Sequence, residues 1–303
     1  MADLSLVLIM AVWGSSFSLL RTLLAGGPEA AASPLLLLGT RMALASVALI
    51  LALCARPSGR AQLAALASPA GRPLVRDGLL CGALVATGVL LQPEGLSRTT
   101  ASRSGFLTGL LVVFTPLLEA AIFRRKPGLL ALASVLLAFA GLAILSGPWR
   151  ESAAGTLVGD ALTVGCALVF AGHILLLARV AARHPVWPLV LLQLCCVSLA
   201  ALLVGPFIEA QRLAPTARVW LGLGYLALFC TLLAFGVQTW AQRHTTAVRV
   251  ALISSLEPVF AALWAALLIG ERLTQVELFG GALIVAGVVL GEAGPLFAAR
   301  ARS

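Results

Sequence analysis

"RTTASR", residues 98–103, returns 146 positions later as "HTTAVR", residues 244–249. Thr99, Thr100, Ala101 and Arg103 thus recur as Thr245, Thr246, Ala247 and Arg249. The same offset carries Gln92 onto Gln238, Val113-Phe114 onto Val259-Phe260, and Ala140-Gly141 onto Ala286-Gly287. One offset over so long a stretch makes the second half of the chain a degenerate copy of the first. Residues 1–150 and 151–303 are therefore expected to be two repeats. Their beginnings match less well: "VWGSSFSLL" at 12–20 and "VFAGHILLL" at 169–177 share a polar interruption after an aromatic residue.

The repeated phrase is polar, but its surroundings are not. Charged residues make up 11% of the chain and hydrophobic residues 60%, with a mean hydropathy of +1.04, too little polar surface for a soluble fold. About 20 apolar residues span a bilayer as a helix. Ten such runs are read: 4–24, 33–54, 77–97, 101–123, 128–147, 156–179, 186–208, 217–240, 247–269 and 275–297. They do not alternate as barrel strands would, so the expected fold is an all-α polytopic membrane protein. The start "MADLSLVLIMAVWGSSF" lacks a basic n-region and is read as the first membrane helix. The cysteines (54, 81, 166, 195, 196 and 230) lie in or at the ends of these runs without a CxxC pair, as small packing residues do. No metal-ligand spacing, nucleophile–base pair or glycine-rich phosphate loop appears, so neither an enzyme nor a bound cofactor or metal is expected.

The net charge of +9 reports topology rather than a nucleic-acid partner. With the N-terminus cytoplasmic, inner segments hold twelve Lys and Arg (Arg56, Arg60, Arg72, Arg76, Arg124, Arg125, Lys126, Arg179, Arg183, Arg243, Arg300, Arg302). Outer ends hold six (Arg21, Arg98, Arg150, Arg212, Arg218, Arg272). That excess places both termini in the cytoplasm. Five helices per repeat is an odd number, so the two copies cross the membrane in opposite senses, an architecture typical of transporters. The repeated phrases become two tight hairpins. Thr99 or Thr100, and Thr245 or Thr246, are suited to N-cap the following helix. Arg103 and Arg249 fall in a first turn, where the helix dipole disfavours a cation. Either they snorkel to the interface or a carboxylate or carbonyl cluster holds them.

"AVWGSSF", "LQPEGLSRTTASRSGFLTGLLVVFTPLL", "GDAL" at 159–162 and "TTAVRVALISSLEPVFAALWAALLIGERLTQVELFGGALIVAGVVLGE" together resemble the drug/metabolite transporter superfamily, in its ten-helix EamA-type members. The resemblance covers nearly the whole chain. It implies two inverted five-helix repeats around a central cavity, alternating access, and export of amino acids or other metabolites. Two features depart from the common pattern. Helix 4 carries Thr115-Pro116, while Pro258 falls on Val112 at the repeat offset; and His173 stands where an aromatic or aliphatic residue is commoner.

Polar groups deep in a membrane cost roughly 2.5–3.5 kcal/mol for an arginine on insertion scales, so they are functional candidates. Arg41 either attracts a substrate carboxylate or phosphate or pairs with an internal glutamate. Glu257, beside Pro258, either binds an ammonium group or a proton or serves a kinked helix. Trp13, Ser15 and Ser16 are candidate cavity residues, with Gly14 allowing a bend. Gln92 and Gln238 lie symmetrically about the midplane, as matched rim residues or as interhelical hydrogen-bond partners. His173 is either a proton relay or a packed, hydrogen-bonded histidine. Pro93, Pro116, Trp240 and Pro258 are candidate kinks or gates. Glu94 lies near the outer mouth, and Glu119 and Arg124 at the inner end of helix 4. The pairs Gly78/Gly82, Gly105/Gly109 and Gly287/Gly291 permit close helix contact, and a monomer accounts for them.

The expected function is secondary transport of a small molecule across a bacterial inner membrane, more in the sense of export, with an amino acid or similar zwitterion as substrate. In that scheme Arg41 meets the carboxylate, Glu257 the ammonium, and Trp13 the side chain. Alternatives are a lipophilic-compound exporter, a phosphate-ester or nucleotide-sugar exchanger, for which the one lysine, Lys126, is poor provision, and a non-transport scaffold.

Overall fold

The long apolar runs are all helical. The computed structural model describes residues 1–24, 32–99, 101–124, 128–147, 157–210, 212–214, 216–270 and 272–300, without the side chains of 101, 102, 269 and 293–300. Ten helices among them are long and apolar enough to cross a membrane: α1 (Ala2–Leu24), α2 (Pro34–Cys54), α3 (Pro69–Leu96), α4 (Arg103–Phe123), α5 (Leu129–Ser146), α6 (Leu157–Val180), α7 (Val186–Ile208), α8 (Ala217–Ala241), α9 (Ala247–Leu268) and α10 (Gln275–Glu292). Helices suit lipid because they satisfy their own backbone. Among the described residues the only β pairing is an isolated bridge, Ala32 to Leu213. The chain is thus an all-α, multi-pass membrane protein.

Most helix ends fall within a few residues of the expected ones. The exception is α3, read from residue 77, which starts with a turn at Pro69–Gly71 and is α-helical from Arg72. Pro73 suits a first turn, and Arg72, Arg76 and Asp77 ride on the helix, so a boundary drawn after the last charge comes too late. A short helix, Pro57–Leu66, links α2 to α3. It is too short and polar to register as a span.

Corresponding helices share local irregularities. α4 is helical over Ala101–Gly109 and resumes at Leu111; α9 is helical over Ala247–Ser254 and resumes at Glu257. In α9 the break falls before Pro258, which has no N–H to donate to Ser254. α4 has no proline at that place; Gly109 stands at its break, so the interruption outlives the missing proline. Both helices end on a left-handed residue, Arg124 (φ 53°) and Gly270 (φ 75°), again 146 positions apart. α8 differs from α3 in carrying a π-helical segment over Leu228–Leu233, a form common at functional sites.

The packing repeats too. A Cβ on Gly141 of α5 would lie 2.6 Å from the Gly280 carbonyl oxygen and 2.7 Å from the Ile284 nitrogen of α10. A Cβ on Gly287 of α10 would lie 2.8 Å from the Ser134 carbonyl oxygen and the Ala138 nitrogen of α5. The shift of 146 turns each contact into the other. The two helices run antiparallel, backbone against backbone, as small residues permit. α2 and α7 are also antiparallel, with Gly39 against Leu202 and Ser46 against Cys195. α1 packs on α8 and α9, while α6 packs on α3 and α4. Gly78 and Gly82 meet Leu192 and Cys196 of α7 within this one chain, and all six cysteines are free.

Candidate functional site

The middle of the bundle holds two ionisable side chains of opposite sign. Arg41 of α2 and Glu257 of α9 lie deep in the fold, and each keeps some accessible area. They are within electrostatic reach of one another, but no ion pair of 4.0 Å or less joins them. Arg41 Nε donates to Thr231 Oγ1 at 2.8 Å. Its Nη1 and Nη2, and both carboxylate oxygens of Glu257, have no hydrogen-bond partner among the described residues. Charges in a low-dielectric interior are costly when left incomplete. A ligand that brings complementary charge would complete both.

The surroundings of this pair are assembled by the irregular parts of α1, α8 and α9. Trp13 donates its indole N–H to the Cys230 carbonyl at 2.7 Å, within the π-helical segment. A π turn frees carbonyls from the helical ladder, which gives the indole its acceptor. The ring meets Phe235 edge-on, with centroids 6.2 Å apart. Ser15 and Ser16 bond back to the carbonyls of Val12 and Trp13, both at 2.7 Å. Ser15 also contacts the Tyr225 hydroxyl at 2.6 Å. Gly14 is required by close approach: a Cβ there would stand 2.7 Å from Phe260 Cβ and 2.8 Å from the Ala261 nitrogen. Trp264 donates to the Ala11 carbonyl at 2.8 Å and ties α9 to α1 once more. Trp13, Gly14, Ser15, Ser16, Arg41, Glu257 and Pro258 therefore come together. Thr231, Tyr225, Cys230 and Trp264 join them without having been singled out in the sequence, since nothing in composition marks a π turn.

The other candidates lie elsewhere. His173 of α6 is buried and bonds Gln193 of α7 at 2.8 Å, while Gln193 donates to the Leu189 carbonyl at 3.1 Å. Gln92 and Pro93 are half-buried at one end of α3; Gln238 is buried and Trp240 exposed at the opposite end of the bundle. Trp240 stacks loosely on His244, with centroids 4.9 Å apart. Pro116 is buried within α4. Glu94 pairs with Arg98.

The two hairpins settle what holds their arginines. At the far end of the bundle, away from Met1, Arg103 forms an ion pair with Asp160 of α6. At the near end, Arg249 pairs with Glu292 of α10 at 2.7 Å and approaches Asp3 of α1 at 3.6 Å. Val12 and Val169 begin the matched stretches of α1 and α6, 157 positions apart, and the same step carries Asp3 onto Asp160. The two arginine–aspartate contacts are thus equivalents. Thr246 caps α9, accepting from the Arg249 N–H at 3.3 Å. Thr99 instead donates to Asp160 Oδ1 at 3.0 Å, and Thr100 lies outside the described residues. At the near end Asp77 also accepts from Arg76 and contacts His184 Nε2 at 2.9 Å, and Arg243 donates to the Ala181 and His184 carbonyls. No cluster of three or more metal-ligating side chains occurs among the described residues.

The model of the EamA-like transporter family matches residues 1–147 and again residues 157–291. An "Uncharacterized transporter" of Archaeoglobus fulgidus is 31% identical over 217 residues, covering 71% of this chain and 68% of that protein. A crystal structure with 20% sequence identity superposes over 96% of each chain with a TM-score of 0.79, a likeness of fold. The chain belongs to the EamA-like transporter family.

Proposed function

We propose that this transporter carries a small zwitterion, an amino acid in the first instance, outward across a bacterial inner membrane by alternating access, with both termini in the cytoplasm. The observation that carries the reading is the pair of incompletely bonded, opposite charges at mid-depth, Arg41 and Glu257. A carboxylate suits the planar guanidinium fork, an ammonium group suits Glu257, and an apolar side chain suits the wall of Trp13 and Phe235.

Alternating access is supported by three features. The first is the double family match. The second is the reciprocal packing of Gly141 and Gly287 in antiparallel helices. The third is the equivalent pair of ionic contacts at opposite ends. We read the halves as inverted repeats, and the contacts of Arg103 and Arg249 as the closures of the two ends, each released in turn. Counterflow in proteoliposomes loaded with a panel of amino acids tests the reading. Exchange of at least one labelled amino acid, saturable and abolished by Glu257→Gln, is expected. No exchange of any of them would sink the substrate assignment.

A further inference from the structure

We infer that the α2–α3 linker forms a headgroup site for an anionic phospholipid. A cavity of about 470 Å³ lies where the linker meets α3, lined by Leu66, Ser68, Arg72, Val75, Arg76 and Leu79 among others. Its two faces differ in chemistry. Arg72 and Arg76 give it a cationic rim, and Arg56 and Arg60 stand exposed on the same linker. Val75 and Leu79 continue the cavity along α3 toward the apolar surface, where Leu79 and Leu80 are 46% and 50% exposed.

Of Arg56, Arg60, Arg72 and Arg76, only Arg76 is ion-paired among the described residues, with Asp77 at 2.8 Å. Asp77 is the one carboxylate nearby in sequence, and it is buried behind Arg76 and His184. Arg60 donates to the Cys54 carbonyl at 2.9 Å. Arg56 and Arg72 make no ion pair among the described residues. Arginines that outnumber their countercharge at the end of a membrane helix recruit anionic headgroups, and Arg72 and Arg76 are the two that line the cavity. The position decides between a lipid and a soluble anion: the cavity sits at the end of a membrane span and opens along an apolar helix face. The phosphate rests against Arg72, within reach of Arg76, and an acyl chain follows Val75 and Leu79.

Full-length protein in detergent is titrated with dioleoyl phosphatidylglycerol, dioleoyl phosphatidylcholine, glycerol phosphate and inorganic phosphate. Bound lipid is read by native mass spectrometry and the unfolding midpoint by thermal shift. Phosphatidylglycerol is expected to bind and to raise the midpoint above the phosphatidylcholine value. Arg72→Gln should weaken that binding about fivefold, one arginine's worth at a membrane surface. Arg60→Gln, which removes the same charge outside the cavity, should leave it within about twofold. Its unchanged midpoint in phosphatidylcholine reports that each variant folds. Equal binding of the two lipids, equal losses in the two variants, or full reproduction of the shift by either soluble phosphate overturns the site.

Discussion

Replacing Arg103 by glutamine removes one of the two equivalent ionic contacts proposed as closures and leaves the other intact. Its side chain is 42% exposed and that of Asp160 is 14% exposed. An exposed ion pair is worth about 0.2–1 kcal/mol after screening; the poorer solvation of Asp160 puts this one toward the upper part of that range. About 0.5–1 kcal/mol corresponds to a two- to fivefold change in the ratio of open to closed at that end. Spin labels at Ser97 and Val158, both exposed and adjacent in sequence to the touching residues Arg98 and Gly159, report the far end by dipolar broadening, which reads short distances. Labels at Leu4 and His244, also exposed, report the near end. In Arg103→Gln the long-distance population should grow two- to fivefold at the far end and not at the near end. Arg249→Gln should reverse the pattern, with a larger effect because two carboxylates lose their cation. Unchanged distributions in both variants, or equal widening of both ends in each, would refute the assignment of these contacts as closures.

Gly141→Val should destabilise the protein by about 1–3 kcal/mol, because the new side chain meets α10 backbone rather than a movable side chain. Gly287→Val should cost a similar amount by the reciprocal contact, and thermal unfolding of both variants in detergent checks this. Arg124→Gly should stabilise by about 1 kcal/mol, since a left-handed conformation costs about 1–2 kcal/mol at a residue with a Cβ; unfolding with and without the substitution decides it. Trp13→Phe removes the hydrogen bond to the Cys230 carbonyl while keeping a ring against Phe235. It should weaken substrate affinity several-fold and lower stability by about 1 kcal/mol, measured by binding and unfolding of the same sample.

Hydropathy made most of the fold readable, because a lipid-facing helix has nothing to choose except apolar residues. The read bounds of α7, 186–208, coincide with the helix Val186–Ile208. α3 was harder: charges on its first turns resemble a loop when only hydropathy is counted. Arg41 and Glu257 stood out because an ionisable group at mid-span is rare. Their surroundings did not, since Thr231 and Cys230 lie in a π turn that has no compositional mark, and Tyr225 meets Ser15 across 210 positions of sequence. The partner of Arg103 was half visible. Asp160 lies in the quoted "GDAL", but its equivalence to Asp3 follows a step of 157 whereas the hairpins follow one of 146. Insertions between the matched helices hide that relation from a single offset. The tie between His184 and Asp77 joins residues 107 positions apart and has no pattern by which a sequence could announce it.

The central claim is that Arg41 and Glu257 recognise the two charges of one zwitterion. Isothermal titration of the purified protein with a transported amino acid, its decarboxylated amine and its N-acetyl derivative tests it directly. Charged hydrogen bonds contribute about 1.5–3 kcal/mol, so the native protein should bind the amino acid at least tenfold more tightly than either analogue. Arg41→Gln should erase the preference over the amine alone, and Glu257→Gln the preference over the N-acetyl compound alone. Equal binding of all three ligands by the native protein, or both preferences intact in both variants, would contradict the account.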